Sequence, residues 1–414
     1  MIFGTRPGMG MRGLCFTLAL AGLAASASAF AADVDAAVEG NTRFAFDLYN
    51  TVRQDGGGGG NVFFSPISVS TALAMTYAGA RGATEQQMAR ALHFGLPQPA
   101  LHKTLSTLLS GLSGASAYEL AIANRLWGQK DFRFSDEFLK LAETNYQGGL
   151  ELLDFAADPE GSRKTINRWI EDGTRRKIRE LLVSGDIKTL TRLVVTNAIY
   201  FKGSWSAKFD PNRTVEAHFT LQDGRTTVRV PMMSRTGRFS HMQDTMLQAL
   251  ELPYAGNRLS MIVLLPNKGT GIVQVEKALT PANLARWRSA MAPEDMRVFL
   301  PKFKTTQRFL LNDALKKLGM PDAFDEDRAD FSGMTGRRNL YISKVIHKAF
   351  VDVNEEGTEA AAATAVVVDT KSMRMEPVFR ADRPFVFLIL DKKSGSILFL
   401  GRIMNPVQQD GSGS

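Results

Sequence analysis

Residues 355–372 read "EEGTEAAAATAVVVDTKS". A single glycine follows the two opening acids, no proline interrupts the run, and small residues carry it to a lone base, Lys371. It lies between two stretches that read as strands, "KVIHKAFVDV" at 344–353 and "FVFLIL" at 385–390, so about thirty residues lack a strong element of their own. Inside a compact domain, loops longer than about 12–15 residues are usually lids, binding loops or disordered segments. At period two, Thr358, Ala360, Ala362, Thr364, Val366 and Val368 form a face without charge, and Glu359, Ala361, Ala363, Ala365, Val367 and Asp369 form the other. That pattern fits a strand slid between existing strands, where small side chains avoid clashes and one face meets a core. Alanine by itself favours helix, so an alanine-rich helix is the competing reading, while Thr364 and residues 366–368 favour a strand. Composition leaves both open, and such a segment stays a loop or short helix until a sheet receives it.

Outward from this run, the flanks are rich in strands. "FVFLILDKKSGSILFLGRI" is a hairpin turning at residues 393–395, and "RLVVTNAIYFKG", "LQALELPYAG" and "LSMIVLLP" are β-rich runs stopped by glycine or proline. "LPKFKTTQRFLLNDALKKLGM" passes from strand to helix. "NVFFSPISVSTALAMTYAGARG" begins as a strand, turns at Ser65-Pro66 and continues as a buried helix, and residues 42–55 have helical apolar spacing before five glycines. Residues 162–182 read as another amphipathic helix, whose solvated face carries Arg175, Arg176, Lys177 and Arg179. No aromatic stacking residues accompany that cluster, so no nucleic-acid partner is expected.

The 414 residues are 44% hydrophobic and 22% charged, enough for a large core and too charged for a bundle of membrane spans. Arg6 and Arg12 precede the apolar run "LCFTLALAGLAA" and the small-residue stretch "SASAFAA", the order of a signal peptide cleaved after Ala29 or Ala31. The run is shorter than the roughly 18–20 residues that span a bilayer, so export rather than a membrane anchor is expected. The organisation read here is a leader over 1–31, one mixed α and β domain over 32–407 and a tail over 408–414. Loss of Arg6 and Arg12 lowers the formal charge from +8 to +6. The only cysteine, Cys15, leaves with the leader, which excludes disulfides and thiol chemistry from the mature chain. His93, His102, His218, His241 and His347 lack metal-pair spacing, and neither a nucleophile elbow nor a phosphate loop occurs. The formal Gly-x-Gly-x-x-Gly at 8–13 falls in the leader. No catalytic residue, metal or cofactor is expected, and the chain does not read as an enzyme.

"NEEGTEAAAATAV" resembles the hinge of inhibitory serpins, and "FRADRPFVFLI" resembles that family's C-terminal signature. "NVFFSPISVSTALAMTYAGARGAT", "VVTNAIYFKGSW" and "LPKFK" resemble three further blocks, in family order, over about residues 40–405. The resemblance implies an α+β fold of three sheets and about nine helices, with the loop exposed as bait above the largest sheet. It implies a suicide inhibitor that holds a serine protease as an acyl-enzyme while the cut loop inserts as a central strand. The hinge comprises Glu355, Glu356, Gly357, Thr358, Glu359, Ala360, Ala361 and Ala362. Counting fourteen residues from Gly357, or back eight from Phe379, places the cleaved bond at Lys371-Ser372. A lysine there suits a trypsin-like pocket with an acidic base. Arg374 is the rival bait, ahead of a chymotrypsin-like cut at Met373 or Met375. Ser65, Ser68, Asn197 and His347 match the family's shutter, and Lys302, Trp205 and Glu355 match the breach at the top of the sheet. The implied protein is a secreted or periplasmic monomer, with loop-sheet polymerisation as a side route. "RRKI" departs from the family's Gly-Lys-Ile, and residues 98–117 offer only Lys103 and His102 for a heparin-like site. The alternative is a non-inhibitory serpin acting as a binding or carrier protein.

Overall fold

The computed structural model describes residues 12–55, 59–112, 117–146, 149–358 and 376–408, with side chains from residue 30 onward. The bait Lys371-Ser372 and the hinge residues Glu359, Ala360, Ala361 and Ala362 lie outside the described residues, as do Arg374, Met373 and Met375.

Helix Arg12–Asp55 runs unbroken through the expected leader boundary, but its packing begins near Ala37, and Phe44, Leu48 and Tyr49 are its first fully buried large residues. Among the described residues no helix is long and apolar enough to cross a membrane. Strand Val62–Phe64 leads into helix Pro66–Tyr77, all of whose residues are buried. The turn expected at Ser65-Pro66 is the cap of that helix: the Ser65 hydroxyl accepts from the Ser68 N–H, and Pro66 takes the first turn, where no amide donor is needed.

Among the described residues the strands form two hydrogen-bonded sheets, one of which joins two of the three expected. Strand Thr227–Gln243, 17 residues long, pairs with Leu247–Pro253 at one end, Val215–Thr220 at the other and Ala292–Pro301 along most of its length. It fuses two of the expected sheets into a nine-stranded surface that ends on Val378–Arg380 and also contains the predicted hairpin Phe385–Asp391 and Ile397–Ile403. Ten α-helices and two 3₁₀ turns occur among the described residues. The sheet that meets the hinge is the smaller one. Its six strands run in the order Phe303–Leu310, Ile342–Asn354, Gly357–Thr358, Leu193–Ser204, Tyr118–Gln129, Leu150–Leu153. Leu193–Ser204 is buried over its first nine residues on both faces, which is why it reads as a continuous apolar run rather than an alternation.

The helix expected over 162–182 is Pro159–Gly173, and the basic cluster lies on the turns that follow. Thr174 ends it: its hydroxyl donates to the Ile170 carbonyl and accepts from the Ile178 N–H, and Arg175 and Arg176 turn at φ 50° and 61°. The Asn167 amide then ties Leu182 back by two hydrogen bonds. After the helix ends, Ile178, Leu181 and Leu182 still reach the core with Trp127 and Ile170.

Candidate functional site

Two strands of the six-stranded sheet make a fork. Ile342–Asn354 and Leu193–Ser204 pair in parallel through eight residue pairs, from Ile342 opposite Leu193 to Phe350 opposite Tyr200. Three residues higher a strand stands between them: Thr358 pairs with Val353 on one side and Gly203 on the other, antiparallel to both. The gap thus narrows from two strand spacings, roughly 10 Å, to one within a single turn of pleat.

The hinge enters the fork under close control. Gly357 has φ 149°, and a Cβ there would stand 2.0 Å from the Gly203 carbonyl oxygen, so no other residue fits. Thr358 is fully buried, its hydroxyl 2.8 Å from the Tyr254 phenol. Trp205 stacks on Tyr254 at 4.7 Å, and donates its indole N–H to the Asn354 carbonyl and its backbone N–H to the Glu356 carbonyl. Glu355 accepts from Lys302 Nζ and from the Thr214 hydroxyl, each at 2.8 Å. Burial pushes its carboxyl up, but these hydrogen bonds outweigh burial and hold it below the usual range. Lys208 pairs with Glu356 on the same side. The structure therefore brings Lys302, Glu355 and Trp205 together around the first hinge residues.

Lower down, Asn124, Asn197 and His347 sit in one row across three strands, in register. His347 Nδ1 and Asn197 Oδ1 bond directly across the seam between the two fork strands. The His347 Nε2 accepts from the Ser65 N–H at 3.1 Å, so the neutral ring carries its proton on Nδ1. The Asn197 amide nitrogen donates to Ser68 Oγ and Asn124 Oδ1, and Ser68 Oγ also bonds Asn124. Sequence reading found Ser65, Ser68, Asn197 and His347 but missed Asn124; its signal is an amide within "YELAIANRLWGQ", a strand otherwise free of buried side-chain amides until Gln129. It also missed Tyr254 and Thr214, which lie far from the hinge in sequence.

Burial pushes His347 from 6.5 down to about 3. Between those values the unfolded chain binds a proton that the folded chain excludes, so stability is complete above about pH 6.5 and falls as pH drops toward 3. The limiting slope is about 1.4 kcal/mol per pH unit. Thermal unfolding of the wild type is expected to fall more steeply between pH 6.5 and 4 than that of His347→Gln, and parallel curves would contradict this assignment.

A polar row thus closes the seam, with a two-residue strand standing above it. A family model described as serpin (serine protease inhibitor) matches residues 39–406. The chain is a serpin. It is 44% identical over 374 residues to the bovine (Bos taurus) leukocyte elastase inhibitor, covering 88% of this chain and 98% of that protein. Human serpin B8 is 43% identical over 376 residues, covering 90% of this chain and all of that protein. Among solved structures, human thyroxine-binding globulin superposes with a TM-score of 0.83 at 32% identity, covering 91% of this chain and all of the other. Uncleaved ovalbumin does so with a TM-score of 0.81 at 29% identity, covering 89% and 99%. Inhibitors of the serpin family are not enzymes.

Proposed function

We propose that this serpin is an exported suicide inhibitor of trypsin-like serine proteases that is cleaved at Lys371-Ser372. The observation that carries the proposal is Thr358, already seated between the fork strands and pairing with both. A strand begun there continues downward in fixed register. Ala360 falls between Phe201 and Val351, Ala362 between Ile199 and Ala349, and Thr364 between Asn197 and His347, a path whose small side chains clear the sheet.

The target's serine Oγ attacks the Lys371 carbonyl carbon, and the Ser372 nitrogen leaves with a proton, so Lys371 remains as an ester on the enzyme. Residues 359–371 are then free at one end. Insertion opens the eight-pair seam, exchanges one ladder for two and buries the small inward side chains, worth on the order of 5–10 kcal/mol at about 25 cal/mol per Å². The tethered protease is dragged with the loop, and loss of one oxyanion donor already slows deacylation by about 100–1000-fold. In this reading the Asn124, Asn197 and His347 row holds the seam shut until cleavage, and Lys302, Glu355 and Trp205 hold the hinge in register.

Residues 1–31 act as the leader. Their order of basic, apolar and small residues supports this, and the family match begins only at residue 39.

The test mixes the mature protein with equimolar trypsin or elastase, followed by denaturing electrophoresis and mass spectrometry of the fragments. A denaturation-resistant trypsin complex, a released peptide beginning at Ser372 and a mature chain starting at Phe30 or Ala32 are expected. A complex with elastase alone, cut after one of the valines 366–368, would move the bait toward what the bovine relative's name states. Clean cleavage without any complex would favour a binding or carrier role, the role stated in the name of thyroxine-binding globulin.

A further inference from the structure

We infer that the outward face formed by Arg297, Phe299, Val378 and Arg380 is a second docking site for the target protease, taking acidic side chains beside its cleft. The inference deepens the inhibitor reading and rests on it. Val378–Arg380 is the terminal strand of the nine-stranded sheet and pairs in parallel with Ala292–Pro301, Val378 opposite Arg297 and Arg380 opposite Phe299. Phe379 and Val298 between them are fully buried, while Arg297 and Val378 are exposed and Arg380 and Phe299 half-buried, the Phe299 ring lying at the edge of the core. The Arg297 and Arg380 guanidinium carbons lie 4.8 and 4.5 Å from the Phe299 ring centroid, one above each neighbouring position.

Arg297 is exposed and makes no ion pair among the described residues. Arg380 reaches only Asp382, at 3.7 Å, and that carboxylate is held more closely by Arg383 at 2.6 Å. Two guanidiniums are thus oriented by stacking while their N–H groups remain available to carboxylates. Val378, 51% exposed, adds an apolar contact beside them. Arginine, an aromatic ring and an aliphatic side chain on one rim is the composition of an interface anchor rather than of ordinary solvated surface. Arg238 extends the positive row on the next strand; Asp295 opposite it and Glu376 are the exposed carboxylates nearby.

Chain length says which partner meets this face. Val378 lies seven residues beyond Lys371. At full extension that stretch spans at most about 25 Å. A globular partner of ~200 residues is about 40 Å across. A protease engaged at Lys371 therefore has the rim that Val378–Arg380 forms within about one of its own widths.

Anionic and cationic trypsins share a primary pocket and differ in surface charge, so they separate this contact from the bait. Their association rates are to be measured at low and high salt for wild type, Arg297→Glu, and Lys140→Glu. The last makes the same charge change on the exposed face of Asp136–Tyr146, a helix of the other sheet's far edge. Anionic trypsin is expected to associate roughly 10-fold faster than cationic trypsin at low salt, and Arg297→Glu, unlike Lys140→Glu, should remove most of that advantage and its salt dependence. Equal effects of the two variants, or none, would overturn the inference. Binding of anionic trypsin with its nucleophile replaced by alanine reads the contact without chemistry. Binding weakened by Arg297→Glu alongside no covalent complex would leave this site standing and remove the inhibitor reading instead.

Discussion

Thr358→Arg is expected to turn the inhibitor into a substrate: the loop is still cut, but the covalent complex falls by at least about 10-fold and the stoichiometry of inhibition rises to match. Thr358 is fully buried between Val353 and Gly203, with its hydroxyl on Tyr254. A guanidinium buried there without a carboxylate partner would cost several kcal/mol to desolvate, while each 1.4 kcal/mol is a factor of ten. The chain avoids that cost by leaving the fork, so insertion cannot begin at its first residue and deacylation wins the race. Trypsin titration with gel densitometry gives the partition directly. Undiminished complex formation would show that the bait is trapped without insertion through this fork. Thr358→Ser, which keeps the hydroxyl, should behave as wild type.

Asn197→Ala should produce the largest loss of stability. Asn197 closes the row by binding Asn124, Ser68 and His347, and its removal strands the His347 Nδ1–H and leaves Asn124 Oδ1 with the Ser68 hydroxyl as its only remaining donor. Unsatisfied buried groups cost about 1–3 kcal/mol each, so a loss of about 3–5 kcal/mol is expected, or ~5 °C in unfolding temperature for a chain of this size. The same change removes the side-chain bond across the seam, so spontaneous acceptance of a loop, its own or another molecule's, should speed up. Calorimetry and native electrophoresis after mild heating test both effects. A fall in unfolding temperature with no rise in polymer would mean that the row stabilises the fold without guarding the seam.

Much of this could be read along the chain. Strands stopped by glycine or proline, such as Leu259–Pro266, were legible because burial on both faces leaves a continuous apolar run. The Ser65-Pro66 cap was legible because its chemistry is local. Helix Pro159–Gly173 stops nine residues short of the expected end because "TRRKIRELL" keeps helical spacing, while the Thr174 hydroxyl bonds and the positive φ of Arg175 and Arg176 turn the chain out of the helix. That two of the three expected sheets are joined through Thr227–Gln243 was not legible, because its pairing with three partners is a property of distant strands. Asn124 and Tyr254 escaped notice because a buried polar residue declares itself only through the partners that surround it.

By itself, then, the sequence determined the family and nominated the hinge and the bait, since each rests on local pattern or on counting along the chain. Tertiary structure decided that the hinge already stands two residues, Gly357 and Thr358, inside a six-stranded sheet, that a His347 and Asn197 bond closes the seam below it, and that Arg297 and Arg380 share one phenylalanine. Those facts depend on which of two facing strands lies beside a third. Strand register is fixed by side chains far apart in the chain meeting across a pleat, and no local pattern encodes that meeting.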